Sequence, residues 1–242
     1  MNRLKLALLF FTIITPAISL AQNISATYTI ERNVVVGSKT VTLNLQGYYY
    51  KKGNKYIYWE RPLYLSKYPN GEITVVNGEN NLTSYALNKD SIQMLFFHDY
   101  DSLITRQGLY NEYQRGITEY PFEADRSNEW IYEAKTKTIN GLKCQLAINP
   151  GQWRVWFCVD MPTKTSLHSL QGLPGLVVEA DCLPTNEHYS LINYDMSTPI
   201  KEGIFTPDAF KGHMDKGGLL KNISHQSKKT KAEKQQELLN QN

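Results

Sequence analysis

Apolar and polar residues alternate with a period of two along most of the chain, the pattern of strands that bury one face. "ISATYTIERNVV" (24–35) alternates over part of its length. "KTVTLNLQGYYYKKGNKYIYWE" (39–60) reads as two strands around the turn triplet Lys52-Gly53-Asn54. Further pairs are expected in 71–87 around Asn77-Gly78, in 91–107 with a turn near Asp99, and in 129–148 around Asn140-Gly141. The turn "NPGQ" (149–152) leads into "WRVWFCVDM", and "LVVEADC" and "HYSLINYDM" continue the series. Turn signals about every ten residues predict a mainly β domain, a curved antiparallel sheet or partly open barrel with few short helices. Sixteen tyrosines agree, because an aromatic ring suits a half-buried pleated surface.

Helix signals are sparse. "TPDAF" (206–210) offers Thr206 as an N-cap before Pro207. "KKTKAEKQQELL" (228–239) is helix-prone but polar nearly all round, which reads as a tail. The first residues break the strand pattern. Arg3 and Lys5 precede an apolar run, Leu6–Ile14, and Ser19-Leu20-Ala21 follows as a small-x-small cleavage pattern. This predicts a secretory signal peptide cut after Ala21. The run is too short to span a bilayer, and no second long apolar run follows, so no transmembrane segment is expected in the mature chain. The expected organisation is a signal peptide at 1–21, one β-rich domain at 22–215 and a basic polar tail at 216–242.

Charge adds one exclusion. The chain has 26 Lys+Arg against 23 Asp+Glu, and losing Arg3 and Lys5 leaves the mature chain near neutral. A near-neutral balance argues against nucleic acid as a partner. The tail is the basic part, with six lysines against two glutamates.

"LQGLPGLVVEAD" (170–181) stands out. Pro174 fixes its own φ and pushes Leu173 towards extended geometry. Gly175 is expected at the φ > 0 position of a type II turn, and Gly172 permits a second unusual angle or a close backbone approach. Leu176 then starts an apolar strand, along which Glu179 and Asp181 face one side. Two readings are open. The stretch is a tight turn that aims a core strand, or a loop that touches a ligand or partner.

"QGLPGLVVEA" resembles the signature of the GLPGLI family of exported proteins from Gram-negative bacteria, with Val177 in place of Ile. "INGLKCQLA" (139–147) resembles the family's Ile-x-Gly-[Tyr/Leu]-x-Cys element. "VWFCVDMP" (155–162) resembles its Trp-[Phe/Tyr]-Thr-x-[Glu/Asp]-Ile-Pro element, with Cys158 where Thr is usual. The resemblance covers roughly residues 125–215. It implies export to the periplasm or beyond and a mainly β fold, and it brings no biochemical activity with it. It also implies an accessory role at the outer membrane, with a TonB-dependent receptor as partner.

Of three cysteines, Cys144 and Cys158 flank the 149–152 turn. If Asn149 pairs with Trp153, the two cysteines lie opposite each other, so a Cys144–Cys158 disulfide is the first expectation and Cys158–Cys182 the second. Glu179, Asp181, Cys182, Glu187 and His188 crowd ten residues but match no zinc spacing, so no metal or other cofactor is expected. There is no Gly-x-Ser-x-Gly elbow, HExxH, P-loop or GxGxxG, and Ser166 and His168 form no triad by spacing, so catalytic residues are not assigned. Tyr48, Tyr49, Tyr50, Tyr56, Tyr58 and Trp59 form either a core face with cross-strand pairs or a concave sheet for an apolar or peptide ligand.

Together these predict a non-catalytic binding protein for a peptide, lipid or envelope partner. Its expected binding rim is Gly172, Leu173, Pro174, Gly175 and Leu176 with Trp153 and Trp156. The rivals are a structural domain that docks on an envelope protein through a sheet edge or the tail, and a peptidase of unfamiliar type.

Overall fold

The computed structural model describes residues 23–78, 81–110, 115–121, 129–163, 167 and 170–206. The expected signal peptide, the basic tail and most of the 206–210 segment lie outside the described residues. The expected strand pairs form. They are β1 (Ile24–Val36), β2 (Lys39–Lys52), β3 (Lys55–Pro62), β4 (Glu72–Asn77), β5 (Asn81–Ala86), β6 (Met94–Asp99) and β7 (Ile104–Tyr110), then β9 (Ile131–Ile139), β10 (Leu142–Asn149), β11 (Trp153–Cys158), β12 (Leu176–Cys182) and β13 (Glu187–Asp195). β8 (Arg115–Pro121) was not expected. It is an edge strand that carries Gly116 and ends in Pro121, a composition an edge tolerates. Short 3-10 turns at Tyr64–Ser66 and Glu202–Phe205 are the helical elements among the described residues.

Eleven strands build one antiparallel sheet in the order β8-β7-β6-β3-β2-β1-β13-β12-β11-β10-β9, and β4-β5 stands apart as a hairpin. The sheet is not closed into a barrel. The chain enters at the middle. β1 to β3 step outwards, the hairpin leaves the sheet, and β6 to β8 run on to one edge. β9 begins at the opposite edge, and β9 to β13 step inwards until β13 pairs with β1. The first and last strands therefore close on each other at the centre, and β1 is paired along both sides.

Alternation gives each strand an inner and an outer set. The inner set includes Tyr28, Ile30, Leu45, Tyr58, Phe157 and Tyr189, all fully buried. Two insertions cover this face. Residues 63–93 supply Tyr64, Ile73, Val75 and Leu87, and residues 159–175 supply Met161, Leu167, Leu170 and Leu173. Each large apolar side chain sealed this way contributes roughly 1.5–3 kcal/mol relative to exposure. On the other face, Ile57, Leu95 and Phe97 pack with Ile200 and Phe205 of the C-terminal segment. The outer face of the central strands stays open to water, with Thr29, Glu31, Asn44 and Arg154 exposed.

Candidate functional site

The expected rim does not assemble as one surface. Trp153 and Trp156 are three residues apart on β11, so they point to opposite faces. Trp153 is buried on the covered face beside Tyr189, at 5.7 Å between ring centroids. Trp156 is half-exposed on the open face, with the Lys137 ammonium 4.4 Å from its ring centroid. The 172–176 turn belongs to the covering insertion, where Leu173 and Leu176 are buried and Pro174 is exposed. Its backbone is tied down from β9 and the residue before it. Trp130 Nε1 donates to Gln171 O and Tyr132 Oη to Gly172 O, each at 2.7 Å.

Gly172 meets the expectation of an unusual angle, with φ +80° in the left-handed region. Gly175 does not sit at the expected positive φ. What excludes a side chain there is proximity, because a Cβ on Gly175 would lie 2.0 Å from the carbonyl oxygen of Cys158. The strand entry is held by Leu176 N–H donating to Met161 O at 2.9 Å. Of the two readings of this stretch, the observed contacts are those of a turn that aims a core strand.

The tyrosine cluster divides in the same way. Tyr49, Tyr56 and Tyr58 are buried in the core. Tyr48 and Tyr50 stack on Trp59 on the other face, at 5.6 and 5.2 Å between centroids. The inner aromatics are thus packed under the insertions.

Charge also enters the covered face. Arg32 on β1 lies directly opposite Glu187 on β13, and its guanidinium binds that carboxylate through Nε. Its Nη2 reaches Glu60 Oε2 on β3 at 3.3 Å. Tyr58 Oη donates to Glu60 at 3.0 Å, and Tyr189 Oη donates to Glu187 at 2.8 Å. Glu60 is fully buried, and that burial outweighs Arg32 and pushes its carboxyl up to about 7. Burial also acts on Glu187, but Arg32 and the Tyr189 hydroxyl hold its carboxyl below the usual range. Both carboxylates and the guanidinium are therefore committed to one another, which is a fastening of β3, β1 and β13 beneath the insertions.

The open face carries the exposed functional groups. Cross-strand register sets out one row as Trp156, Glu179, Ser190, Thr29, Gln46 and Arg61, from β11 across to β3. A neighbouring row runs Arg154, Asp181, His188, Glu31 and Asn44. Lys137 on β9 binds Glu179 at one end of the first row. Within the rows, His188 Nδ1 lies 2.7 Å from Asp181 Oδ1, and His188 Nε2 lies 2.9 Å from Ser190 Oγ. This is the hydrogen-bond order of a hydrolytic triad. Its setting differs from one, because strand pairing to Thr29 and Glu179 occupies the backbone on both sides of Ser190.

The five candidate metal ligands, Glu179, Asp181, Cys182, Glu187 and His188, are split by the sheet. Glu179, Asp181 and His188 face water, while Cys182 and Glu187 are on the covered face. All three cysteines are buried thiols in the structure. Cys144 and Cys158 are directly opposed, and Asn149 pairs with Trp153. Cys182 lies opposite Trp153 on the other face, so Cys158 and Cys182 are not neighbours. Ser166 and His168 fall outside the described residues. Ser190 was missed as a candidate. The signal for it was in the sequence, since His188 and Ser190 are two apart on one strand and share a face with Glu179 and Asp181.

No known family profile matches the chain, and no curated protein matches it. Among solved structures it is similar to PNGF-II, at 12% identity and a TM-score of 0.46 over 76% of this chain and 30% of that one. It thus spans less than a third of that protein. It is also similar to an outer membrane lipoprotein-sorting protein domain from Vibrio parahaemolyticus, at 11% identity and a TM-score of 0.31 over 76% of this chain and 89% of that one. A DUF1329 family protein from Desulfovibrio piger matches at 12% identity and a TM-score of 0.26, over 76% of this chain and 90% of that one. Among the described residues no helix is long and apolar enough to cross a membrane.

Proposed function

We propose that this chain is an exported, non-catalytic binding protein of the GLPGLI type that recognises a protein or peptide partner in the cell envelope through the open face of its sheet. The observation that carries this reading is the division between the faces. The inner aromatics are buried by the chain's own insertions, while the outer rows present aromatic, acidic, basic and hydroxyl groups on one rigid sheet. Recognition surfaces on rigid scaffolds combine an aromatic anchor with a polar surround, and Trp156 within its ring of charges has that composition. A peptide or envelope protein suits these groups better than a lipid. The TonB-dependent receptor implied by the family resemblance is the first partner to test.

The test is site-specific photo-crosslinking in the native host. A photoreactive residue at Thr29, within the rows, is expected to give a discrete protein adduct that disappears when Trp156→Ala is added. The same residue at Thr74, on the outer side of the β4–β5 hairpin, is expected to give none. No adduct at Thr29, or an equal adduct at both positions, would overturn the reading.

A further inference from the structure

We infer that Cys144 and Cys158 are a cross-strand redox pair that closes to a disulfide by exchange with an oxidising disulfide, leaving Cys182 as a thiol. The pair are direct partners in the β10–β11 ladder. Directly opposed residues in an antiparallel ladder have Cα atoms about 4.5–5.5 Å apart, within the range of about 4.4–6.8 Å seen for bridged cysteines. The register cannot drift, because the turn between the strands is closed by Gln152 N–H donating to Asn149 O at 3.1 Å and Asn149 pairs with Trp153. Both thiols are buried, and Cys144 Sγ turns back towards Leu142 O at 3.4 Å.

Cys182 is excluded by position. It pairs with Trp153, which is five residues from Cys158 and on the opposite face. Five residues of strand span roughly 17 Å.

In the exchange, the thiolate of one cysteine attacks a sulfur of the donor disulfide, forms a mixed disulfide and expels a donor thiolate. The second cysteine's thiolate then attacks the cysteine sulfur of the mixed disulfide and expels the second donor sulfur. Two protons and two electrons leave the cysteine pair, and the donor disulfide becomes two thiols. In the folded chain burial and the neighbouring Cys158 sulfur push the Cys144 thiol up to about 11, so little thiolate is present. Exchange therefore belongs to the folding chain, before the sulfurs are buried, and the finished bridge is protected from reductant. The bridge pins β10 to β11, the strand that holds Trp156 and Arg154. This inference stands without the docking reading, since it concerns only the covalent state of the pair.

The full chain is unfolded, refolded in a buffer of oxidised and reduced glutathione, and its folded fraction isolated. That fraction is then alkylated under denaturing conditions and mapped by peptide mass. The expected result is one alkylated cysteine, Cys182, with a linked peptide that joins Cys144 to Cys158, and three alkylated cysteines after reduction. Cys182→Ala is expected to keep the linked peptide. Three alkylated cysteines in the oxidised sample, or a bridge that includes Cys182, would overturn the inference.

Discussion

On the covered face, the row Ala147, Val155, Ala180, Tyr189, Ile30 and Leu45 crosses six strands without a charge. One residue out of phase, the row Trp156, Glu179, Ser190, Thr29, Gln46 and Arg61 crosses the sheet with polar and aromatic groups throughout. The backbone is common to both rows, so the difference lies in which side chains lose their water. On the covered face the charges of Arg32, Glu60 and Glu187 form a closed set. On the open face His188, Asp181 and Glu179 remain half-exposed and stay available to a partner. Packing is thereby assigned to one side of the strands, and the proposed recognition to the other.

The largest expected effect comes from breaking the closed set. Arg32→Ala leaves Glu60 and Glu187 as uncompensated carboxylates beneath the insertions, and should cost about 3–5 kcal/mol in denaturant unfolding. Glu31→Ala, the next residue along β1 but on the open face, should change stability by less than about 0.5 kcal/mol. Equal losses in the two variants would erase the distinction between the faces.

Next in size is a pH effect. The Glu60 carboxyl is raised from its ordinary 4.5 to about 7 by burial, so between those values the folded chain binds a proton that the unfolded chain releases. The contribution is present below about 4.5 and is lost as pH rises through 7, on the order of 3 kcal/mol in all. Glu187 has the opposite sign, since its lowered carboxyl loses stability as pH falls through its folded value. Relative to Glu60→Gln, the wild-type melting temperature should therefore decline from about pH 5 to about pH 8, a difference that removes the opposite slope of His98, whose imidazole is lowered to about 3 by burial. A wild-type curve that rises relative to Glu60→Gln across this range would contradict the placement of Glu60.

The covering turn gives smaller effects. Gly175→Ala forces a Cβ against the Cys158 carbonyl and should cost about 1–3 kcal/mol. Gly172→Ala places a side chain at φ +80° and should cost about 1–2 kcal/mol by backbone strain. Asn at position 172 should recover part of that loss, because Asn tolerates the left-handed region, and Asn at 175 should recover none. The smallest stability effect is expected for Trp156→Ala combined with Thr29→Ala, which should leave the fold intact and abolish partner capture.

Much of this fold was legible in the sequence because its strands are long, alternate cleanly and end at Gly-containing turns. The 149–152 turn even fixed the Cys144–Cys158 register. β8 was not legible, since Gly116, Pro121 and intervening polar residues dilute the alternation in a seven-residue edge strand. Strand order was not legible either, because β1 meets β13 through contacts that local patterning does not encode. The ion set left a faint trace. Arg32 keeps phase with Tyr28 and Ile30, Glu60 with Tyr56 and Tyr58, and Glu187 with Tyr189 and Leu191, so each is a charge at an inward position. The expected rim failed on the same arithmetic, because Trp153 and Trp156 differ by an odd number and cannot share a face.

Native mass spectrometry of the protein, released gently from its host, tests the central claim most directly. A covered face sealed by its own insertions, with recognition on the open face, predicts the mass of the bare chain, or of that chain bound to a protein or peptide that Trp156→Ala releases. A stoichiometric lipid mass that Trp156→Ala leaves in place would contradict the account, because it would put the ligand inside the sheet.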